Sequence, residues 1–334
     1  YIMSIIATEF ETLGINGSDA STFMAAIPYQ FYSILALFLI PIVAFGRHDF
    51  GFMAKAEEQA RLGLPQNISD DEAILVSDDK KVSPWNMILP LVILLGTILV
   101  MFVSWGFPFQ NIPGSKIRIA LTSGYLLASI VCMIMITAQK LMSFKETFDV
   151  FIGGIQKMGS VLVVVVLAWG VGSVCKDLGT SQFIVDSTLG LITPHVVPAL
   201  LFLVGVIISF ATGTSWGAMA ILLPIGINMA VGFGVSIPMT IGAVLSGCLF
   251  GDHCSPISDT TVMSAMAAGC DLLEHTRTQL PYAGIAALAS FVAYLILGFT
   301  NANIWIMLVV ALALLIVFYL LSCRLWGVKA AESK

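Results

Sequence analysis

Residues 197–261 read VPALLFLVGVIISFATGTSWGAMAILLPIGINMAVGFGVSIPMTIGAVLSGCLFGDHCSPISDTT. Three apolar pieces, about 197–211, 216–233 and 236–250, are separated by little polar sequence, and a shorter piece follows at 260–270. Two breaks carry the polar chemistry. The first is Ala211-Thr212-Gly213-Thr214-Ser215, and the second is Gly251-Asp252-His253-Cys254-Ser255-Pro256-Ile257-Ser258-Asp259-Thr260. No Lys or Arg occurs between Lys176 and Arg277, whereas Asp177, Asp186, Asp252, Asp259, Asp271 and Glu274 all fall there.

The rest of the chain says where such a stretch sits. Of 334 residues 58% are hydrophobic and 10% charged, against about 25% charged in an ordinary soluble domain. Mean hydropathy is +0.97. Apolar runs over about 23–46, 84–105, 117–138, 158–175, 279–300 and 303–322 are each long enough to cross about 30 Å of hydrocarbon. The fold class is therefore an all-α polytopic membrane protein. Residues 1–22 read as a severed helix end and an external loop, 23–175 as four transmembrane helices, 279–322 as two more and 323–334 as a tail. The chain opens on Tyr1 inside an apolar run with no signal peptide, so an N-terminal part is expected upstream.

Basic residues orient the spans. The polar 47–83 loop holds Arg47, Lys55, Arg61, Lys80 and Lys81 beside eight acids; 139–157 holds Lys140, Lys145 and Lys157; the tail holds Arg324, Lys329 and Lys334. These three are expected in the cytoplasm, the 47–83 loop as a solvated one and 139–157 as an amphipathic surface segment. The chain then leaves the fourth span outside and is inside again before 279, so 196–278 makes an odd number of net crossings. A re-entrant hairpin over 197–233, its tip at Thr212–Ser215, with a crossing helix over 236–270 broken at Gly251–Ser258, satisfies this. Three ordinary spans satisfy it too.

Irregular backbone at membrane depth is tolerated only inside protein or against water, and it exposes helix ends. Broken helices near the midplane are a common way for secondary transporters to build ion sites. The first break offers the hydroxyls of Thr212, Thr214 and Ser215, with Gly213 permitting an irregular turn. The second offers Asp252, Ser255, Ser258, Asp259, Thr260 and Thr261, with Gly251 and Pro256 as helix breakers. These are hard oxygen ligands suited to a hard cation such as Na+. Bare carboxylates at depth without a basic neighbour need a proton or a bound cation, and a carboxylate that takes either is the minimum for cation/proton exchange. The competing reading makes each break an aqueous loop, with Ser258 an N-cap and Asp259 a first-turn acid.

Other chemistries find less support. His253 lies between the two acids as a candidate proton relay, or as a hydrogen-bonding structural residue. Cys132, Cys175, Cys248, Cys254, Cys270 and Cys323 show no C-x-x-C spacing and read mostly as small apolar helix residues. Asp252, His253 and Cys254 are adjacent, a poor arrangement for one transition metal. No nucleophile–base pattern points to an enzyme.

At the two breaks the chain resembles the NhaC-type sodium/proton antiporter family of the ion-transporter superfamily. The resemblance rests on Ala211-Thr-Gly-Thr-Ser-Trp-Gly217 with Ile221-Leu-Leu-Pro-Ile225, and above all on Gly251 to Thr261, continuing through DLLEHTRTQLPY at 271–282. Tyr29-Gln-Phe-Tyr32 and Arg47-His-Asp-Phe-Gly51 fit as well. It implies two inverted repeats, of which this chain carries all of only the second, and it implies the hairpin and the unwound helix. Carried over as ion- or proton-binding are Thr212, Gly213, Thr214, Ser215, Asp252, Ser255, Ser258, Asp259, Thr260 and Thr261, with Asp252 and Asp259 as the Na+ carboxylates and Pro256 at the break. The expectation is a secondary transporter, not an enzyme. It would exchange Na+ for H+ by alternating access, without a cofactor or nucleic acid, in the plasma (inner) membrane, with its C-terminus in the cytoplasm and a homodimer as a compatible assembly. Relatives also imply the alternative: a Na+- or H+-coupled carrier of small carboxylates, of malate/lactate type, or of amino acids.

Overall fold

The computed structural model describes residues 1–46, 48–62, 83–107, 110, 112–178, 183, 192–268 and 270–327. Residues 63–82 of the polar loop, most of 179–191 and the tail past Gly327 lie outside the described residues. Among those described the chain is all-α, with one isolated bridge between Phe50 and Gly327. Among the described residues six helices are long and apolar enough to cross a membrane, and a bent pair brings the number to seven. The chain divides into two compact units, residues 1–74 with 164–334, and residues 75–163.

In the second unit α5 (Trp85–Ser104) packs on α6 (Gly114–Ala138). Gly124 lets them close up, because a Cβ there would meet the Leu94 carbonyl at 3.1 Å. The amides of Asn86 and Gln139 bond reciprocally at the helix ends, at 3.1 and 2.5 Å. The expected amphipathic surface segment at 139–157 is helical from Phe144. A capping box starts a helix there: Ser143 N–H donates to Glu146 at 2.8 Å, and Glu146 N–H to Ser143 Oγ at 3.2 Å. α7 (Phe144–Asp177) contains no Pro and covers the residues of the expected 158–175 span, those from Val164 on belonging to the first unit.

In the first unit the expected 23–46 span is not one helix. It is α2 (Asp19–Ala26), a 3-10 turn at Ile27–Tyr29 and α3 (Phe31–Gly46), bent by 47°. Pro28 sits in that turn, where its missing N–H costs least. A phenol holds this break in place. Tyr294 Oη, fully buried, lies 2.5 Å from the Tyr29 carbonyl, 3.0 Å from that of Gly242 and 2.9 Å from Ser246 Oγ. Tyr294→Phe leaves those groups short of a partner. It is expected to cost about 1–3 kcal/mol, readable as a lower unfolding temperature of the purified protein.

The expected hairpin is two helices, α8 (Val197–Thr212) and α9 (Ser215–Phe233), joined by Gly213 and Thr214. Together with the 3-10 turn at Pro194–Val196 α8 is long enough for a span, and so is α9. Then come α10 (Ile237–Cys254) and α11 (Asp259–Ala268), with the break at Ser255–Ser258. Next is α12 (Leu272–Thr300), capped by Asp271, whose carboxylate accepts from the amides of Leu273 and Glu274 at 3.0 Å each. The described chain ends with α13 (Ile304–Trp326).

The tightest crossing is α10 on α8. Gly247 and Gly251, four apart, face Gly205 and Ser209, also four apart, a small-residue seam of the kind that lets membrane helices touch backbone to backbone. A Cβ on Gly247 would overlap the Phe202 carbonyl. Ser209 Oγ, at the seam, donates to the Cys248 carbonyl at 2.6 Å. Gly251 thus lies inside α10, and its expected role as a helix breaker is corrected: absence of a side chain serves packing there.

The 47–83 loop begins as structure, not as solvated chain. Phe50 is buried against the rings of Tyr282 and Tyr319, and α4 (Gly51–Arg61) packs on α12 with Arg277 over the Phe52 ring.

Candidate functional site

The α8–α10 seam fixes where α10 ends, and the ends of four helices meet there. Ser255, fully buried, terminates α10 and donates its hydroxyl to the Phe210 carbonyl of α8 at 2.8 Å. Gly213 caps α8 at φ +67°, and a Cβ on it would stand 2.7–3.0 Å from Ile257. The two breaks are therefore in contact. Only a residue without a side chain fits both the left-handed backbone and the gap.

Asp252 lies in the last turn of α10 and is 7% exposed. One carboxylate oxygen accepts from Ser215 Oγ at 3.0 Å, the other from Ser258 Oγ at 2.6 Å. Ser215 is the first residue of α9, and Ser258 precedes α11. Both hydroxyls therefore come from the starts of helices. A carboxylate has about four acceptor sites, and hydroxyls occupy two. Among the described residues Asp252 has no Lys or Arg partner, and the one ion pair is the exposed Arg61–Glu57 contact at 3.3 Å.

Ser258 Oγ lies 2.8 Å from Thr260 Oγ1. Ser258 has one hydroxyl hydrogen, and with that given to Asp252 it is Thr260 that donates to Ser258. Three groups then form a polarised chain, Thr260 to Ser258 to Asp252. Thr261 is buried, and its hydroxyl lies 3.5 Å from the Asp252 carbonyl and 3.3 Å from that of His253.

Other candidate residues stand apart from this cluster. Asp259 is exposed at the start of α11, the first-turn position that the loop reading assigned it; the structure does not bring it to Asp252's hydroxyls. Thr212 is exposed and turns its hydroxyl back to the Ile208 carbonyl at 2.8 Å, as helical Thr does. Thr214 caps α9 with extended backbone and no side-chain bond to the helix. Pro256 sits in the turn between α10 and α11. His253 opens toward a cavity, and its Nδ1 lies 2.6 Å from Tyr32 Oη. Tyr32, on α3, was not foreseen, since 221 residues separate the pair. Among the described residues no three of His, Cys, Asp and Glu converge as metal ligands.

Two cavities flank the carboxylate. The larger, about 1020 Å³, is bounded by Asp252, His253 and Thr260. The smaller, about 130 Å³, is bounded by Ser215, Gln30 and Trp216. Leu249 lines both.

An uncharacterized protein of Haemophilus influenzae is 27% identical over 97% of this chain and 64% of its own length. The malate-2H+/Na+-lactate antiporter of Bacillus subtilis is 28% identical over 63% of this chain and 43% of its own. The Na+/H+ antiporter NhaC of Alkalihalophilus pseudofirmus is 27% identical over 37% of this chain and 27% of its own. The chain thus spans less than two thirds of the length of each of these relatives. No solved structure matches it. The profile of the Na+/H+ antiporter family matches residues 1–299, and the chain belongs to that family, one of membrane transporters and not of enzymes.

Proposed function

We propose that the full protein exchanges Na+ for H+ across the plasma membrane by alternating access, with Asp252 as the carboxylate that the two ions share. The observation that carries this is a buried carboxylate held by two hydroxyls and paired with no Lys or Arg among the described residues. Its two remaining acceptor sites suit a proton or a small hard cation. Ser215 and Ser258 offer oxygens beside it for Na+.

Proton movement has a path as well. When Na+ displaces the proton, the Ser258 and Thr260 hydroxyls can turn over in sequence and pass it to the larger cavity, which Thr260 lines. Alternating access fits the two cavities, which meet at Ser215, Asp252 and Leu249. The orientation proposed puts the 47–83 loop and the C-terminus in the cytoplasm. Asp259, exposed at its helix start, serves the fold.

The malate/lactate relative favours a second reading, a carboxylate carrier on the same fold. A carboxylate cargo usually calls for Arg, and among the described residues neither cavity is lined by Lys or Arg. Labelled malate or lactate uptake separates the two readings.

The test is proton movement in everted vesicles containing the full-length protein. Added sodium is expected to dissipate an imposed proton gradient; no response to sodium would sink the proposal. Ser215→Ala is expected to raise the sodium concentration for half-maximal exchange by about tenfold or more, since a hydrogen bond to a charged group is worth roughly 1.5–3 kcal/mol.

A further inference from the structure

The larger cavity has a second polar end. Along α3 its wall runs from Tyr32 and Ser33 past Ala36, Leu39 and Val43 to Ala44. At 1.5 Å per residue, Tyr32 to Ala44 is about 18 Å. Most of this lining is apolar. At one end stand Asp252, His253 and Thr260; at the other stand Asp49 and Glu57, beyond the end of α3.

A polar rail on α12 joins the ends. Gln279 Nε2 donates to the His253 carbonyl at 2.8 Å, and Tyr282 Oη donates to Asp49 at 2.5 Å. Three apart on one helix, Gln279 and Tyr282 share a face, and both line the cavity. Tyr282 Oη also accepts from the Phe50 amide at 3.3 Å, which fixes the segment carrying Asp49. In the same wall Ser33 Oγ is buried with no hydrogen-bond partner among the described residues.

We propose that this cavity is the aqueous route by which cations and protons reach Asp252 from the membrane face carrying Asp49, and that Asp49 and Glu57 form its cation-selecting mouth. The proposal rests on the exchange reading for what travels the route, but the existence and charge preference of the route stand apart from it. Glu57, on the non-spanning helix α4, is exposed, and the hydrogen bond its protonated carboxyl donates to Asp49 pushes that carboxyl above the usual range. Among the described residues no Lys or Arg lines the cavity; at its mouth Arg61 pairs with Glu57, Arg277 lies over the Phe52 ring, and Asp49 has no Lys or Arg partner. A cleft lined by one sign of charge concentrates counter-ions about tenfold or more.

The test is thiol labelling of the full-length protein in membranes, its native cysteines replaced by alanine, with charged methanethiosulfonate reagents added from the Asp49 side. Ala36→Cys and Val43→Cys line the cavity, while Phe38→Cys is an exposed α3 control outside it. A thiol in lipid does not ionise and stays unreactive. Both cavity thiols are expected to react at least about tenfold faster than the control, with a cationic reagent preferred over an anionic one. Glu57→Gln, on an exposed side chain, and Asp49→Asn are expected to reduce that preference. Cavity thiols no faster than Phe38→Cys would overturn the route. Fast labelling with a preference that neither substitution moves would overturn the mouth. Labelling needs no transport, so a protein that fails to exchange sodium can still show the route, and one that exchanges sodium can still lack it.

Discussion

Asp252→Asn is expected to abolish sodium-driven proton movement, while Asp259→Asn leaves most of it. The two residues look alike in the sequence, seven positions apart in one motif, but their surroundings differ. Asp252 is buried and held by Ser215 and Ser258; Asp259 is exposed at a helix start. Asn keeps the shape of Asp252 and accepts a hydroxyl on its carbonyl oxygen. It carries no charge for a cation and takes no proton at working pH. Losing one partner of a buried charged contact costs roughly 2–5 kcal/mol, about 30-fold to several thousandfold in affinity. At Asp259 the loss is that of an exposed helix-dipole contact, about 0.3–1 kcal/mol. The measurement is sodium-dependent proton movement in everted vesicles, with each variant present at equal amounts. Equal losses from the two variants would contradict the assignment.

The second large effect is structural. Gly251→Val is expected to prevent accumulation of stable protein. A Cβ there would stand 2.6 Å from the Phe210 amide nitrogen and the Val206 carbonyl, and 2.7 Å from Ser209 Cβ. Two of these are backbone atoms that cannot step aside, so α10 must lift off α8. Lifting it stretches the Ser209–Cys248 and Ser255–Phe210 bonds and moves the end of α10, where Asp252 sits. Overpacking alone costs about 1–3 kcal/mol. Gly284→Ala is the control: it lies on α12 with nothing within 4 Å of its would-be Cβ, and it is expected to leave stability unchanged or raise it by up to about 1 kcal/mol. Fluorescence-detected size exclusion after heating reads both. A Gly251→Val protein as heat-resistant as the parent would show that the seam is not close-packed.

How much of this the sequence discloses depends on the range of the interaction. Spans are legible because hydropathy over twenty residues needs no partner, and that is why α5, α6, α12 and α13 fall close to their expected places. The second break is legible because Pro256 and its polar neighbours cannot continue an apolar helix. Which carboxylate turns inward is not. It depends on Ser255 reaching a carbonyl 45 residues away, a contact that local pattern does not encode. The Tyr32–His253 pair and the Tyr282–Asp49 contact, 221 and 233 residues apart, are out of reach for the same reason. Two features were within reach. Gly205 with Ser209 and Gly247 with Gly251 show the spacing of close membrane-helix contact, and Pro28 marks the bend within 23–46.

The most direct measurement of the central claim is proton release from purified full-length protein in weakly buffered detergent solution on adding sodium. If sodium and a proton compete for Asp252, the protein releases protons as sodium binds, Asp259→Asn does the same, and Asp252→Asn releases none. Undiminished release from Asp252→Asn would show that the exchanging carboxylate lies elsewhere.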